Sequence, residues 1–254
     1  MILKKFSFFI LLFTFSLVCS SQNAETKSTL FSHSGRVELL AENKVILIGP
    51  SSSVSFDFIG KSCSILLQSV DDHQNYVSLE LDGKYIGRIR IEKGEVQSFP
   101  IVVSEKKKTH RLSIYKATEA TNGGVLFAGT TAKLMESPTP KAKKKIELIG
   151  DSITSGFGND NSTIPCGTGD WYDQHNAYWA YGPVLSRALD IDYVLSSVSG
   201  YGMYRNWNDE HIDEPIIPEV YENLYLNTDS SKPYDFKLQP DLVSICLGTN
   251  DLSD

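Results

Sequence analysis

Cysteine is scarce in this chain. Four occur in 254 residues, and only Cys63, Cys166 and Cys246 remain once the first 21 residues are set aside. An odd set of three argues against a disulfide framework. No Cys/His spacing suits a structural zinc site, so no metal ligand is assigned. Positive charge is also in deficit: 24 Lys and Arg face 31 Asp and Glu, a net charge of −7 without a basic stripe. That excludes nucleic acid as an expected partner. Beyond the N-terminus no apolar run is long enough to span a bilayer. Histidine is limited to His33, His73, His110, His175 and His211.

The N-terminus carries the one long apolar run. Lys4 and Lys5 precede Phe6–Val18, and the small residues Ser20 and Ser21 close it. Residues 1–21 therefore read as a secretory signal peptide, too short and wrongly flanked for a transmembrane anchor. The protein is expected to be secreted, to an extracellular or periplasmic site. Cys19 keeps open lipidation at a bacterial lipobox, against which the bulk of Val18 argues. A membrane partner is expected only through such a lipid.

Residues 30–135 lack a helical period. Short apolar segments recur at intervals of roughly ten residues, separated by turn signals, which suggests a β-sandwich. Val54–Phe58 alternates apolar and polar residues, and Tyr76–Leu81 runs into Asp82-Gly83, a strong hairpin signal. Nothing in this half depends on later sequence, so it is expected to fold alone. Residues 136–145 are polar, proline-interrupted and basic, and read as a solvated linker.

From Ile146 the pattern changes. Strand Ile146–Ile149 precedes a helix expected over Tyr178–Leu189, with Tyr181, Val184, Leu185, Ala188 and Leu189 on one apolar face and Pro183 disturbing its first turn. Strands follow at Tyr193–Val198 and Leu242–Leu247. This is the beginning of a doubly wound parallel sheet. Cys246, inside the last apolar run, is expected to be a buried small hydrophobe.

The chemistry concentrates where these strands end. Gly150-Asp151-Ser152 follows the first, Ser199-Gly200-Tyr201-Gly202 the second and Gly248-Thr249-Asn250-Asp251 the third. Open α/β sheets place their sites at the carboxyl ends of strands. Ester cleavage through an acyl-enzyme needs a nucleophile, a base, and donors for the tetrahedral oxyanion. Ser152 is the candidate nucleophile. Its own N–H, the N–H of Gly200 (where no Cβ intervenes) and the side-chain amide of Asn250 are candidate oxyanion donors. Each such donor is worth about 10²–10³ in rate. Asp151 and Asp251 are expected to bond neighbouring loop backbone.

These three stretches resemble blocks I, II and III of the SGNH (GDSL-like) hydrolases. Several further stretches, with a sandwich ahead of the blocks, resemble carbohydrate esterase family 2: Tyr115-Lys116-Ala117-Thr118-Glu119, Asn176-Ala177-Tyr178-Trp179-Ala180-Tyr181-Gly182, Arg205-Asn206 and Pro240-Asp241. The resemblance implies an all-β sandwich, jelly-roll-like, followed by an α/β SGNH-hydrolase domain with a flavodoxin-like parallel sheet over residues 146–254. It implies a serine esterase that deacetylates xylan or related plant polysaccharides without a cofactor. Its partner would be an acetylated polysaccharide or oligosaccharide.

The resemblance also implies a catalytic histidine in an Asp-x-x-His segment at the far end of the domain. No such segment precedes Asp254. The hydrolase domain is therefore expected to be truncated before the catalytic His and its Asp, and this chain to be inactive as it stands. His175 and His211 lie in loops away from that position and read as surface residues. Two rival functions stay open. One is a non-catalytic polysaccharide-binding protein, using sandwich aromatics such as Tyr76, Tyr85 and Tyr115. The other is an SGNH esterase or lipase for a different acyl group.

Overall fold

The computed structural model describes residues 30–103, 107–137, 142–208 and 214–253. The leader with Cys19, the proline-rich part of the linker, His211 and Asp254 lie outside the described residues. Eleven strands come first: β1 (Ser32–Ser34), β2 (Val37–Leu39), β3 (Val45–Leu47), β4 (Ser53–Ile59), β5 (Ser62–Ser69), β6 (Asn75–Leu81), β7 (Lys84–Ile91), β8 (Gln97–Val102), β9 (Thr109–Lys116), β10 (Val125–Thr130) and β11 (Lys133–Met135). They form two antiparallel sheets. One runs β1-β4-β9-β6-β7, with β11 also pairing β4, and the other runs β2-β3-β10-β5-β8.

Alternation decides how the sheets meet. Successive strand residues face opposite sides, so every second side chain of β4, β5 and β9 points into the same space. Phe56, Phe58, Ile65, Leu67, Leu112, Ile114 and Phe127 fill it and are completely buried. Phe56 and Phe127 lie 6.1 Å apart, with Phe31 edge-on to both. The β6–β7 turn has the type I′ form that Asp-Gly favours, with φ of 52° at Asp82 and 77° at Gly83.

The second half has a three-stranded parallel sheet in the order β13-β12-β14, from β12 (Lys145–Gly150), β13 (Asp192–Ser197) and β14 (Leu242–Cys246). Three helices accompany it: α1 (Ser152–Ser155), α2 (Tyr181–Leu189) and α3 (Ile217–Val220). Gly150 pairs with both Ser197 and Cys246, so all three strands end level with one another.

Two expectations are corrected here. The apolar stripe of α2 is not its packing face. Tyr181, Val184, Leu185 and Leu189 are all at least 40% exposed, while Gly182, Pro183 and Ser186 are buried. Gly182 lies against Leu148 and Leu195 so closely that a Cβ there would meet Leu148 at 2.8 Å. The helix approaches the sheet through its smallest residue, and the bulky stripe is turned away. Cys246 is exposed rather than buried, because β14 is an edge strand in this sheet and leaves Val243 and Ile245 exposed as well.

The two halves share more than a linker. A second apolar cluster combines Ile48 and Ala120 from the first half with Val198, Ile217, Val220 and Leu226 from the second. Beside it Arg36, fully buried, reaches across. Its Nε and Nη2 donate to Ser196 Oγ at 3.1 and 3.0 Å, and Nη1 donates to the Asn223 carbonyl at 2.7 Å. Nη2 also reaches the Tyr221 carbonyl at 2.9 Å, and the guanidinium lies 3.9 Å from the Tyr234 ring centre. Ser196 Oγ in turn donates to buried Glu147 at 2.7 Å, and Tyr221 Oη donates to the same carboxylate at 2.8 Å. Burial pushes the Arg36 pKa down to about 10, which still leaves a cation at neutral pH.

The sandwich tyrosines belong to this interface. Tyr76 donates to Asp173 at 2.8 Å, and the rings of Tyr85 and Tyr115 contact Tyr178 at 5.0 and 5.2 Å. All three therefore pack toward the second half. Replacing Arg36 by Leu should remove the cation near Glu147 and leave the Asn223 and Tyr221 carbonyls without their side-chain donor. The expected cost is about 3–5 kcal/mol of unfolding free energy, read as a lowered urea midpoint, with no recovery in Arg36→Lys because one ammonium cannot reach all three acceptors.

Candidate active site

Ser152 sits at the first turn beyond β12. The carboxylate of Asp151 accepts the Ile153 N–H at 3.0 Å and caps α1. Gly156 ends that helix in the left-handed region, with φ of 86° and Asn176 O at 2.9 Å from where a Cβ would stand. The strand and both caps thus hold Ser152 in a single tight turn. Its side chain is half-buried, and its own N–H, at the first helical position, has no intrahelical acceptor.

The second block follows β13. Val198 N–H donates to Gly150 O at 3.2 Å, and Ser155 Oγ donates to Ser197 Oγ at 2.9 Å, so the second loop leaves the sheet beside α1. Tyr201 N–H returns to Val198 O at 3.3 Å and closes a turn in which Gly200 has φ of 80°. That places Gly200 at the position of a type II turn that demands positive φ. No atom lies within 4 Å of its missing Cβ. The glycine is therefore needed for backbone conformation rather than for close approach.

The third block follows β14. Asn250 is buried, and its side-chain amide donates to Tyr201 O at 2.7 Å. One amide hydrogen is so engaged, which fixes the group while the other remains to be offered. Asp251 binds the second loop from the same side. Its carboxylate accepts the N–H groups of Met203 at 3.0 Å, Tyr204 at 2.6 Å and Arg205 at 3.2 Å. Arg205 answers with Nε on Asp251 O at 2.8 Å. Ser152, Gly200 and Asn250 thus occupy consecutive loops at one end of one sheet, and Asp151 and Asp251 bond loop backbone as expected.

Electrostatics separate the two acids. Burial raises the pKa of Asp151, and the nearby charge of Asp251 adds to the rise. Partial burial also pushes Asp251 up, but the three loop N–H groups outweigh it and hold its pKa below the usual range. Among the described residues no His, Cys, Asp or Glu group is arranged to hold a metal ion.

No described histidine serves Ser152. His73 bonds Gln74 O, and His110 lies between Asp82 and Lys107 O, both in the sandwich. His33 lies in β1. His175 is completely buried, in edge contact with Phe157 and Trp171 at 5.0 and 5.1 Å. It is not the surface residue expected. Burial, with the charges of Lys116 and Arg88 adding to it, pushes its pKa down to about 3, far too weak a base near neutrality. One neighbour of the second loop escapes a reading by blocks altogether: Glu119, from the sandwich, bonds Ser199.

Comparison with known proteins finds carbohydrate esterases. Residues 33–140 match the family model for the carbohydrate esterase 2 N-terminal domain. An acetylxylan esterase / glucomannan deacetylase of Cellvibrio japonicus is 32% identical over 206 residues, which cover 79% of this chain and 55% of the relative. A solved family two carbohydrate esterase from Clostridium thermocellum, in complex with cellohexaose, superposes with a TM-score of 0.75 at 28% identity over 88% of this chain and 67% of that one. An acetyl xylan esterase from the rumen bacterium Butyrivibrio proteoclasticus gives a TM-score of 0.75 at 28% identity, over 88% of this chain and 62% of its own. The chain spans about half the length of the curated relative.

The Asp251 clamp makes a pH-dependent prediction. A carboxylate with a depressed folded pKa contributes stability that is present above its unfolded pKa and lost as pH falls through the folded value. Asp251→Asn should therefore melt below the parent at pH 7. The gap should close progressively below about pH 4, where the unfolded carboxylate begins to protonate. Differential scanning fluorimetry across pH 2.5–8, chosen as roughly this window, checks it.

Proposed function

For a chain related to the family 2 carbohydrate esterases, we propose a secreted carbohydrate O-deacetylase that removes acetyl groups from xylan or a related plant polysaccharide through an acyl-enzyme. One observation carries the reading: three polar loops leave three adjacent, level parallel strands, and the third is tied to the second through Asn250 and Tyr201. The parallel sheet is read as the first part of an SGNH-hydrolase domain, and the antiparallel pair of sheets as a jelly-roll-like sandwich.

Ser152 Oγ attacks the acetyl carbonyl carbon, and an imidazole takes its proton. Negative charge gathers on the carbonyl oxygen as the tetrahedral intermediate forms. Ser152 N–H, Gly200 N–H and Asn250 Nδ2 donate to that oxygen. Collapse expels the sugar hydroxyl, which recovers the proton, and leaves acetyl-Ser152. Water then repeats the sequence and releases acetate. The donors act because they are already oriented when charge develops, so the reaction does not have to organise them.

No histidine among the described residues supplies that base. Ser152 alone is a neutral alcohol and a weak nucleophile near pH 7. The chain of 254 residues is accordingly proposed to turn over very slowly by itself, with added imidazole partly replacing the base. Acetate release from acetylated xylan, with and without imidazole, tests this. The imidazole-stimulated rate should fall by at least about 10³ in Ser152→Ala. Acetyl esters should be preferred over octanoyl esters. An Ala variant that keeps more than about a tenth of the rate would remove Ser152 from the mechanism.

A further inference from the structure

The stretch Lys116–Glu119 lies in the sandwich, outside all three blocks, yet the Glu119 side chain reaches the second one. Glu119 is completely buried. Its Oε2 accepts both the N–H of Ser199 at 2.9 Å and the Oγ–H of Ser199 at 2.7 Å. Its Oε1 accepts Thr121 Oγ1 at 2.6 Å. The main chain around it is fixed as well. Lys116, also completely buried, donates from Nζ to Glu119 O at 2.5 Å, and Thr118 Oγ1 donates to Asn75 Oδ1 at 2.5 Å.

We propose that Glu119 is the positioning residue for the oxyanion donor at Gly200, so that the sandwich completes the catalytic loop. Ser199 is the residue before that donor. Holding both its N–H and its Oγ on one carboxylate oxygen fixes the orientation of its Cα. The peptide that carries the Gly200 N–H begins there.

Two features separate this from ordinary domain docking. The bonds are charge-assisted, about twice as strong as neutral ones, and they converge on a single residue of the turn. The same loop is also held by Asp251 and Asn250 from the third block. The loop is thus gripped by a carboxylate from each half of the protein. Misplacing a reacting or stabilising group by about 1 Å can cost about 10²-fold in rate.

The inference rests on the esterase reading, and its test keeps the two apart. Parent, Ser152→Ala, Glu119→Ala and Glu119→Gln forms of the full chain are compared. One readout is backbone hydrogen exchange over residues 198–202. The other is kcat and KM for imidazole-stimulated release of acetate from acetylated xylan. In Glu119→Ala, exchange should rise across 198–202, and kcat should fall about 10²-fold with KM changed less than about threefold. Glu119→Gln keeps one acceptor oxygen for Ser199 and should recover at least a tenth of the parent kcat, roughly the margin expected of a partial repair. It also keeps the proposal testable should the Ala form fail to fold.

Faster exchange with parental kcat in either folded variant overturns the positioning role, as does unchanged exchange and rate. A uniform rise in KM with kcat intact overturns it too, since that marks lost binding rather than lost transition-state stabilisation. Parent turnover that does not depend on Ser152 overturns the esterase reading itself, and the positioning role with it.

Discussion

A guanidinium withdrawn completely from water is the constraint around which this molecule is organised. Removing a charge from solvent costs several kcal/mol unless acceptors replace the lost hydration. Arg36 leaves the sandwich just before β2 and finds those acceptors in the second half, in Ser196 on β13 and in the carbonyls of Tyr221 and Asn223. Ser196 passes the interaction to Glu147 on the middle strand of the parallel sheet. One side chain therefore fixes where β13, β12 and the segment after α3 lie relative to the sandwich. The loops that carry Ser152 and Gly200 emerge from the ends of those same two strands.

Much of this was legible as pattern. The alternation in Val54–Phe58 and the Asp82-Gly83 hairpin correspond to β4 and to the β6–β7 turn. The three loops with Ser152, Gly200 and Asn250 were visible because each follows an apolar strand and the three recur in order, where any one alone would read as an ordinary turn. Short strands without alternation, such as β1, β2 and β11, left no such trace, and their pairing is decided by β3 and β4 beside them.

The interface between the halves was not legible at all, for a physical reason. Its pairs join residues far apart in the chain, such as Glu119 with Ser199 and Arg36 with Asn223, and no period relates them. Asp173, Asn176 and Tyr178, in the connection between α1 and α2, supply much of the contact through Tyr76, Ser78 and Glu80. A single sequence shows such residues as polar and therefore as surface. His175 is the clearest example, polar by type and completely buried between aromatic rings. The stripe on α2 failed in the opposite sense, because Gly182 permits a closer approach to the sheet than any of its apolar neighbours.

The shared interface also bears on how such a protein can be inherited. A module joined by a flexible tether can be exchanged between genes without harm to its neighbour. Here an exchange of the sandwich would leave the Asn223 carbonyl without its guanidinium donor, Ser199 without its acceptor, and the Ala177 N–H without the Ala117 carbonyl it meets at 2.9 Å. The recipient would carry several buried groups with no partner, each costing about 1–3 kcal/mol. Natural selection would then see the two halves as one unit. Their sequences should drift together, with changes at Arg36 or Glu119 matched by changes more than 75 positions away.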